Sequence, residues 1–193
     1  QAAMKIYAAK GRPSDNPLIL HISRRSELDA VVGHVSVQAE ALMDAFWPGP
    51  MTLVFRKSDV VPPETTGGLD TVAVRMPAHA GARALIREAG VPVAAPSANL
   101  SGRPSPTEAG HVREDLDGRI DMIIDGGSVG IGLESTIIDL TEEVPVILRP
   151  GYITREMITQ VTGAVIMDPG LETGEQAIKP KAPGMKYRHY APR

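Results

Sequence analysis

Two cations near the start of the sequence flank a single glycine in Lys10-Gly11-Arg12, just before the apolar run Leu18 to Ile22. A guanidinium binds phosphate oxygens through a planar fork, and an ammonium binds them as a compact charge. Asn16 follows in the same loop, between two prolines that restrict the backbone. The segment predicts a polyphosphate-binding loop, with solvated surface charge as the alternative.

Small and polar residues follow another apolar run, Val91 to Ala95. Ser97 and Asn99 stand two positions apart in Pro96-Ser97-Ala98-Asn99, and both side chains can donate to phosphate oxygens or contact an adenine edge. The small residues around them allow a ligand to approach the backbone closely. The alternative is that both side chains only cap a turn.

Five further candidates stand within or beside apolar runs. Arg75 and Arg149 each end such a run, where α/β proteins place residues that bind carboxylate or phosphate groups. Strand alternation puts His21 on the face opposite its apolar neighbours. Thr52 and Ser135 offer hydroxyl groups at the start of two more runs. A structural histidine or a surface arginine is the alternative at the charged positions.

Several familiar catalytic arrangements are excluded. The chain has no cysteine, which rules out disulfides, thiolate zinc sites and cysteine nucleophiles. Gly126-Gly127-Ser128-Val129-Gly130 fits the nucleophile elbow of hydrolases, but a strand is predicted after it where an elbow needs a helix. No Walker A and no H-E-x-x-H sequence occurs. An ATP site would therefore lack a P-loop, and no protein-built metal site is expected.

The elements that must position these residues alternate between apolar runs and helix-like segments. This order predicts an α/β fold with one twisted, mixed, partly parallel sheet flanked by helices. The predicted strands are Leu18 to Ile22, Met51 to Phe55, Thr71 to Val74, Val91 to Ala95, Met122 to Ile124, Thr136 to Leu140 and Val144 to Leu148. The predicted helices are Ser26 to Val32, Val35 to Phe46, His79 to Ala89, Thr107 to Leu116 and Thr154 to Val161.

The length of 193 residues, with 42% hydrophobic and 22% charged residues, predicts one domain with a substantial core. We place this domain at residues 1–167. Residues 168–193 are rich in proline and glycine without an apolar period, which predicts a linker arm. The sequence contains neither a signal-peptide pattern nor an apolar run long enough to span a bilayer, so we expect a cytoplasmic protein. The net charge of -3 offers no general attraction to nucleic acid.

Taken together and in order, the motifs resemble those of the YrdC family. They are Lys10-x-Arg12, the Pro-Leu-x-x-His run ending at His21, Pro48-Gly49-Pro50-x-Thr52, Arg75-x-Pro77, Pro96-Ser97-Ala98-Asn99, Glu134-Ser135-Thr136 and Arg149-Pro150-Gly151. The resemblance covers Gln1 to about Gly163. The segment from Ala182 to Pro192 resembles the linker of longer, two-domain members.

The resemblance implies a nucleotidyltransferase that forms threonylcarbamoyl-AMP and pyrophosphate from ATP, L-threonine and bicarbonate, for threonylcarbamoyladenosine modification of tRNA. It implies Mg²⁺ as cofactor, held mainly by phosphate oxygens and water. The implied downstream partner is a tRNA-modifying threonylcarbamoyl transferase, and weak RNA binding is a further expectation. Two alternatives are a non-catalytic module that binds double-stranded RNA or tRNA, and a relative that uses carbamoyl phosphate.

The resemblance also implies roles for single residues. Lys10 and Arg12 are the implied catalytic residues. The implied ATP-binding set is Lys10, Arg12, Asn16, Thr52, Ser97, Asn99, Arg149, Tyr187 and Tyr190, and the implied L-threonine-binding set is His21, Arg75 and Ser135.

Two segments typical of the family are expected to be missing. They are a strand and turn before Lys10 and a second domain after the linker. We also expect the arm to fold over the nucleotide pocket as a lid, because its prolines, cations and aromatic rings exceed what a simple tether needs.

Overall fold

The computed structural model describes residues 1–173 of the chain. Within that range, seven strands form one mixed sheet in the order β4-β1-β3-β2-β5-β6-β7. The strands are β1 (Ile19–His21), β2 (Met51–Arg56), β3 (Thr71–Arg75), β4 (Val93–Ala95), β5 (Thr136–Asp139), β6 (Val146–Arg149) and β7 (Ile166–Met167). The helices are α1 (Ala2–Lys10), α2 (Leu28–Val31), α3 (Val37–Phe46), α4 (Pro63–Thr66), α5 (Ala80–Ala89), α6 (Ala109–Leu116), α7 (Arg155–Thr162) and α8 (Pro169–Thr173). The predicted fold class is confirmed.

Strand directions decide which loops meet. β1 is parallel to β3, and β2 is parallel to β5, but the two pairs run in opposite directions because β2 and β3 are antiparallel. β6 is antiparallel to β5, so it runs in the same direction as β1. The carboxyl ends of β1, β3 and β6 therefore share one end of the sheet, here called the upper end, with the amino ends of β2 and β5. β4 is antiparallel to β1, and its carboxyl end lies at the opposite, lower end.

The main core covers one face of the sheet. Leu53 and Ile138 are fully buried there, and they pack in one cluster with Leu42 and Met43 of α3 and Ile158 of α7. α3 begins where Ser36 Oγ accepts a hydrogen bond from the Ala39 N–H at 3.2 Å. Burial of these apolar side chains provides most of the driving force for this face to form.

The second face carries a smaller apolar cluster and the polar candidates. Because side chains alternate along a strand, His21, Thr52 and Arg75 lie on this face. The apolar members of the same face are Ile19, Val54, Ala73, Ile137 and Leu148. The sheet thus separates a packed core from the face that holds the candidate site.

One predicted strand is wrong, and three begin later than predicted, β1 at Ile19 by a single residue. Met122 to Ile124 forms no strand, and the side chains of Met122 and Ile124 are 74% and 69% exposed. A short apolar run needs a neighbouring strand to pair with, and this segment has none within the described residues. β4 and β6 start at Val93 and Val146, directly after prolines, because proline lacks the N–H that a ladder requires. β7 was not predicted.

Helix beginnings also shift for local reasons. His79 and Thr154 act as N-caps, so α5 and α7 start one residue later than predicted. The segment predicted as Ser26 to Val32 divides into a 3₁₀ turn at Arg25–Glu27 followed by α2. None of the helices in residues 1–173 combines the length and the apolar character that a membrane span requires.

Candidate active site

A cavity of about 730 Å³ opens on the second face of the sheet, which is within the usual size range of small-ligand pockets. Three groups of residues form its surroundings. The upper cluster consists of His21, Thr52, Arg75, Glu134, Ser135 and Arg149. The lower cluster consists of Lys10, Arg12, Asn16, Ser97 and Asn99. The glycine-rich wall is residues 126–133.

Arg75 of the upper cluster is fixed by the turn after Phe46. Its Nε donates to the carbonyl oxygen of Gly49 at 3.0 Å. A Cβ at position 49 would lie 2.3 Å from the carbonyl oxygen of Phe46, so only glycine fits this turn. Burial, and then the nearby Arg149 guanidinium, lower the pKa of Arg75. Two neighbouring guanidiniums on a partly buried surface are suited to an anionic ligand.

His21 is Arg75's neighbour across the parallel pair β1 and β3. Its Nδ1 lies 3.2 Å from the carbonyl oxygen of Ile19. Burial, and then the Arg75 charge, lower the pKa of His21 to about 4, although backbone hydrogen bonds involving Val93 and Ile19 act in the opposite direction. The imidazole is therefore neutral at pH 7 and serves as a hydrogen-bonding group without a charge.

Ser135 and Arg149 come together from the start of β5 and the end of β6. Arg149 Nε and Nη2 donate to the Ser135 carbonyl oxygen at 3.1 and 2.9 Å, and Nη2 also donates to Ser135 Oγ at 3.0 Å. Ser135 Oγ lies 2.7 Å from Thr52 Oγ1. Arg149 Nη1 forms an ion pair with Glu134 Oε2 at 2.7 Å. These contacts join four residues of the upper cluster in one network: Thr52, Glu134, Ser135 and Arg149.

The buried Lys10 side chain of the lower cluster supports the turn from Ser97 to Asn99. It is 5% exposed and does not line the cavity. Its Nζ donates to the carbonyl oxygen of Ser97 at 2.5 Å and to that of Asn99. Burial lowers the pKa of Lys10 to about 8, and the Arg12 charge contributes in the same direction. The predicted catalytic cation therefore braces the Ser97 to Asn99 turn in this structure.

Arg12 reaches the cavity from the loop after α1. Its Nε donates to the Asn16 carbonyl oxygen at 3.2 Å, and its Nη2 donates to that of Pro17 at 2.9 Å. Asn16 is 1% exposed, and its Oδ1 accepts no hydrogen bond from the described residues. The Asn99 amide donates to the carbonyl oxygens of Leu100 and Arg103 at 2.9 and 2.7 Å.

The predicted residues divide into two groups in the structure. Six line the cavity: Arg12, His21, Arg75, Ser97, Ser135 and Arg149. Four lie behind its surface: Lys10, Asn16, Thr52 and Asn99. Tyr187 and Tyr190 lie outside the described residues, as does most of the predicted lid. The ligand-binding role of each residue stays a prediction.

The sequence reasoning missed the glycine-rich wall, Ser105, His79 and the carboxylate of Glu134 as site elements. All of them line the cavity. The glycines of residues 126–133 were a usable signal, because clustered glycines often allow close backbone approach to a ligand. The contact of Ser105 with Glu134 is long-range and leaves no local pattern.

The fold and the cavity define an α/β protein with an arginine-lined cavity along its strand ends. Profile comparison places the chain more narrowly. The profile of the Sua5, YciO and YrdC proteins, described as telomere recombination, matches residues 1–151. The chain belongs to this family. A second profile, described as the C-terminal domain of threonylcarbamoyl-AMP synthase, matches residues 153–193. The domain boundary after residue 167 stays a prediction.

Individual relatives agree with this assignment. The threonylcarbamoyl-AMP synthase of Bacillus subtilis is 57% identical over 192 residues, which cover 99% of this chain and 55% of the relative. The enzyme of that name from Pyrococcus abyssi is 56% identical over 191 residues, covering 99% and 56%. The crystal structure of Pyrococcus abyssi Sua5 complexed with L-threonine superposes with a TM-score of 0.95 at 56% identity, covering 99% of this chain and 56% of that one. The chain spans about half the length of these relatives.

Proposed function

We propose that this protein forms threonylcarbamoyl-AMP and pyrophosphate from ATP, L-threonine and bicarbonate. The observation that carries the proposal is the cavity, which is lined by three guanidinium groups and by the Ser135 hydroxyl. Relatives of more than 50% identity are named for this activity, and one was crystallised with L-threonine. A tRNA-modifying transferase would consume the product, and we keep this partner and weak RNA binding as parts of the proposal.

In the proposed reaction, the threonine amine forms a C–N bond with the carbon of bicarbonate, and water leaves. A carbamate oxygen then attacks the α-phosphorus of ATP, and the bond between that phosphorus and the bridging oxygen breaks to release pyrophosphate. Arg12, Arg75 and Arg149 supply the positive charge that stabilises the developing charge on phosphate and carboxylate oxygens. His21 and Ser135 supply neutral hydrogen-bonding groups at the upper end.

Mg²⁺ fits this site as a partner of the nucleotide. Glu134 is the one carboxylate in the described lining, and it is already paired with Arg149. Such a surface is suited to an ion held by phosphate oxygens and water more than to one held in a protein cage. We propose that Mg²⁺ enters with ATP and neutralises part of its charge, and titration of ATP binding with and without Mg²⁺ would test this.

The test of the function is incubation of the full-length protein with ATP, L-threonine and labelled bicarbonate. We expect pyrophosphate release that needs both threonine and bicarbonate, and an adenylate that carries the label by mass spectrometry. Equal release with either substrate omitted would contradict the proposal. Activity with carbamoyl phosphate in place of both would favour the carbamoyl-phosphate alternative, and RNA binding without turnover would favour the binding module.

Substrate choice gives a finer test. Serine lacks the threonine methyl group, and a buried methyl contact contributes about 1–3 kcal/mol to discrimination. We therefore expect kcat/KM for serine to be about tenfold or more below that for threonine. Equal values would show that the site does not enclose the methyl group.

A further inference from the structure

Glu134 carries a negative charge in a cavity whose lining includes three arginines. The described lining of the cavity carries guanidiniums at Arg12, Arg75 and Arg149, and Glu134 is its one carboxylate. A carboxylate in a site for a polyanion repels the ligand unless its charge is held by other groups. Its presence therefore requires an explanation beyond anion binding.

The two oxygens of Glu134 are held differently: Oε1 accepts a hydrogen bond, whereas Oε2 is paired by charge and accepts no hydrogen bond from the described residues. Ser105 Oγ donates to Oε1 at 2.6 Å, and Arg149 Nη1 forms an ion pair with Oε2 at 2.7 Å. The side chains of Glu134 and Arg149 are only 13% and 15% exposed. Water therefore screens this pair much less than a surface ion pair.

Arg149 is held from two sides by adjacent residues of the chain. Glu134 binds one terminal nitrogen, while the backbone and hydroxyl oxygens of Ser135 accept from Nε and the other terminal nitrogen. The plane of the guanidinium is thereby fixed. The backbone beside Glu134 is closely packed and leaves no room for a side chain at position 151. A Cβ on Gly151 would lie 2.4 Å from the Glu134 carbonyl oxygen.

We propose that Glu134 is a positioning residue, which orients the Arg149 guanidinium toward the nucleotide and is itself oriented by Ser105. This inference rests on the proposed function for its kinetic consequence, but not for its structural one. Ser105 and Glu134 connect the loop that follows the Ser97 to Asn99 turn with the amino end of β5. The contacts of Glu134 with Ser105 and Arg149 thus link the loop beside the lower cluster to the strand ends of the upper cluster.

The kinetic test uses Glu134→Gln in the full-length protein, since glutamine keeps the shape and removes the charge. Removing the ion pair with Glu134 affects the orientation of Arg149, while losing a negative charge favours anion binding. We therefore expect kcat for pyrophosphate release to fall about tenfold or more, with KM for ATP changed less than about threefold. Glu134→Ala should lower kcat about a hundredfold, and Glu134→Asp should restore part of it. The control is Glu143→Gln, in an exposed turn.

The structural test follows the Nη–H signals of Arg149 by NMR, assigned by their loss in Arg149→Lys, because Nη1 is the atom that is paired with Glu134. We expect slow exchange in the wild type and in Glu143→Gln, and faster exchange in Glu134→Gln and Glu134→Ala, measured well below the melting temperature of each variant. A wild-type signal in both Glu134 variants would overturn the proposal whatever their activity. If the wild type makes no adenylate, the proposed function fails, but this signal still decides the role of Glu134.

Discussion

The upper cluster and the glycine-rich wall face the same cavity but are built differently. In the upper cluster, Arg149, Ser135 and Thr52 are joined by hydrogen bonds, and strand pairing holds the backbone beneath them. Residues 126–133 are exposed throughout and form no strand or helix. Two of their backbone N–H groups donate to protein acceptors, from Gly127 to Asp125 Oδ1 and from Val129 to the Thr107 carbonyl oxygen, both at 2.9 Å.

The difference shows how the molecule separates two tasks. Charged and hydroxyl groups that must hold a fixed geometry stand on the sheet, where packing limits their motion. The glycine-rich wall has few contacts, and segments of this kind open with little cost in free energy. It is therefore suited to admitting and enclosing a ligand. Changes in the upper cluster should be costly, and comparable changes in the wall should be mild.

The largest contrast is expected between two glycine substitutions. A Cβ at Gly151 would lie 2.4 and 2.6 Å from backbone atoms of Glu134 and Thr136, whereas a Cβ at Gly130 meets nothing within 4 Å. Gly151→Ala should lower the free energy of unfolding by about 1–3 kcal/mol or more, because the β5 entry must shift. Gly130→Ala should change it by less than about 0.5 kcal/mol.

Chemical denaturation of both variants measures these values, and ATP turnover of Gly151→Ala should fall with the displaced Ser135 and Arg149. Equal stability of the two variants would contradict the comparison. It would mean that the strand-end backbone adapts as easily as the wall.

A second effect is expected at Lys10. Its ammonium donates to two carbonyl oxygens of the Ser97 to Asn99 turn, and hydrogen bonds from a charged donor contribute about 1.5–3 kcal/mol each. We expect Lys10→Ala to weaken ATP binding and also to lower the melting temperature. Lys5→Ala, on the exposed side of the same helix, is the control and should leave the melting temperature unchanged.

A third effect concerns pH and His21. The pKa of its imidazole is about 4 in the folded protein and about 6.5 in the unfolded chain. Between these values the unfolded chain binds more protons, so the free energy of unfolding should rise as pH increases from 4 to 6.5. His21→Asn should reduce this rise, measured by denaturation at a series of pH values. His34→Asn, at an exposed position, should retain it.

The smallest effects are expected at Ser97 and Asn99, and they should differ in kind. Ser97 lines the cavity, so Ser97→Ala should raise the dissociation constant for ATP several-fold, about 1 kcal/mol, at an unchanged melting temperature. The buried Asn99 amide donates to two turn carbonyls, so the main effect of Asn99→Ala should be a lower melting temperature, with a smaller effect on ATP affinity. The opposite pattern, with Asn99 decisive for ATP affinity alone, would return it to the predicted ligand set.

Local sequence determined much of the framework. β2, β3 and β5 were predicted almost to the residue, because their apolar, β-branched runs are long enough to specify a buried strand. The end of α5 followed from the terminal glycine Gly90. The candidate cations and hydroxyls could be selected because they stand beside those runs in an order typical of one family.

Only the tertiary structure decided how these residues meet. β4 runs antiparallel to β1, which carries Ser97 to the lower end of the sheet, away from His21 and Arg75. The buried Lys10 side chain donates a hydrogen bond to the Ser97 to Asn99 turn. The Ser105–Glu134 contact joins residues 29 positions apart. The physical reason is that strand pairing and side-chain packing depend on contacts between distant segments, whereas propensity, capping and periodicity act within a few residues.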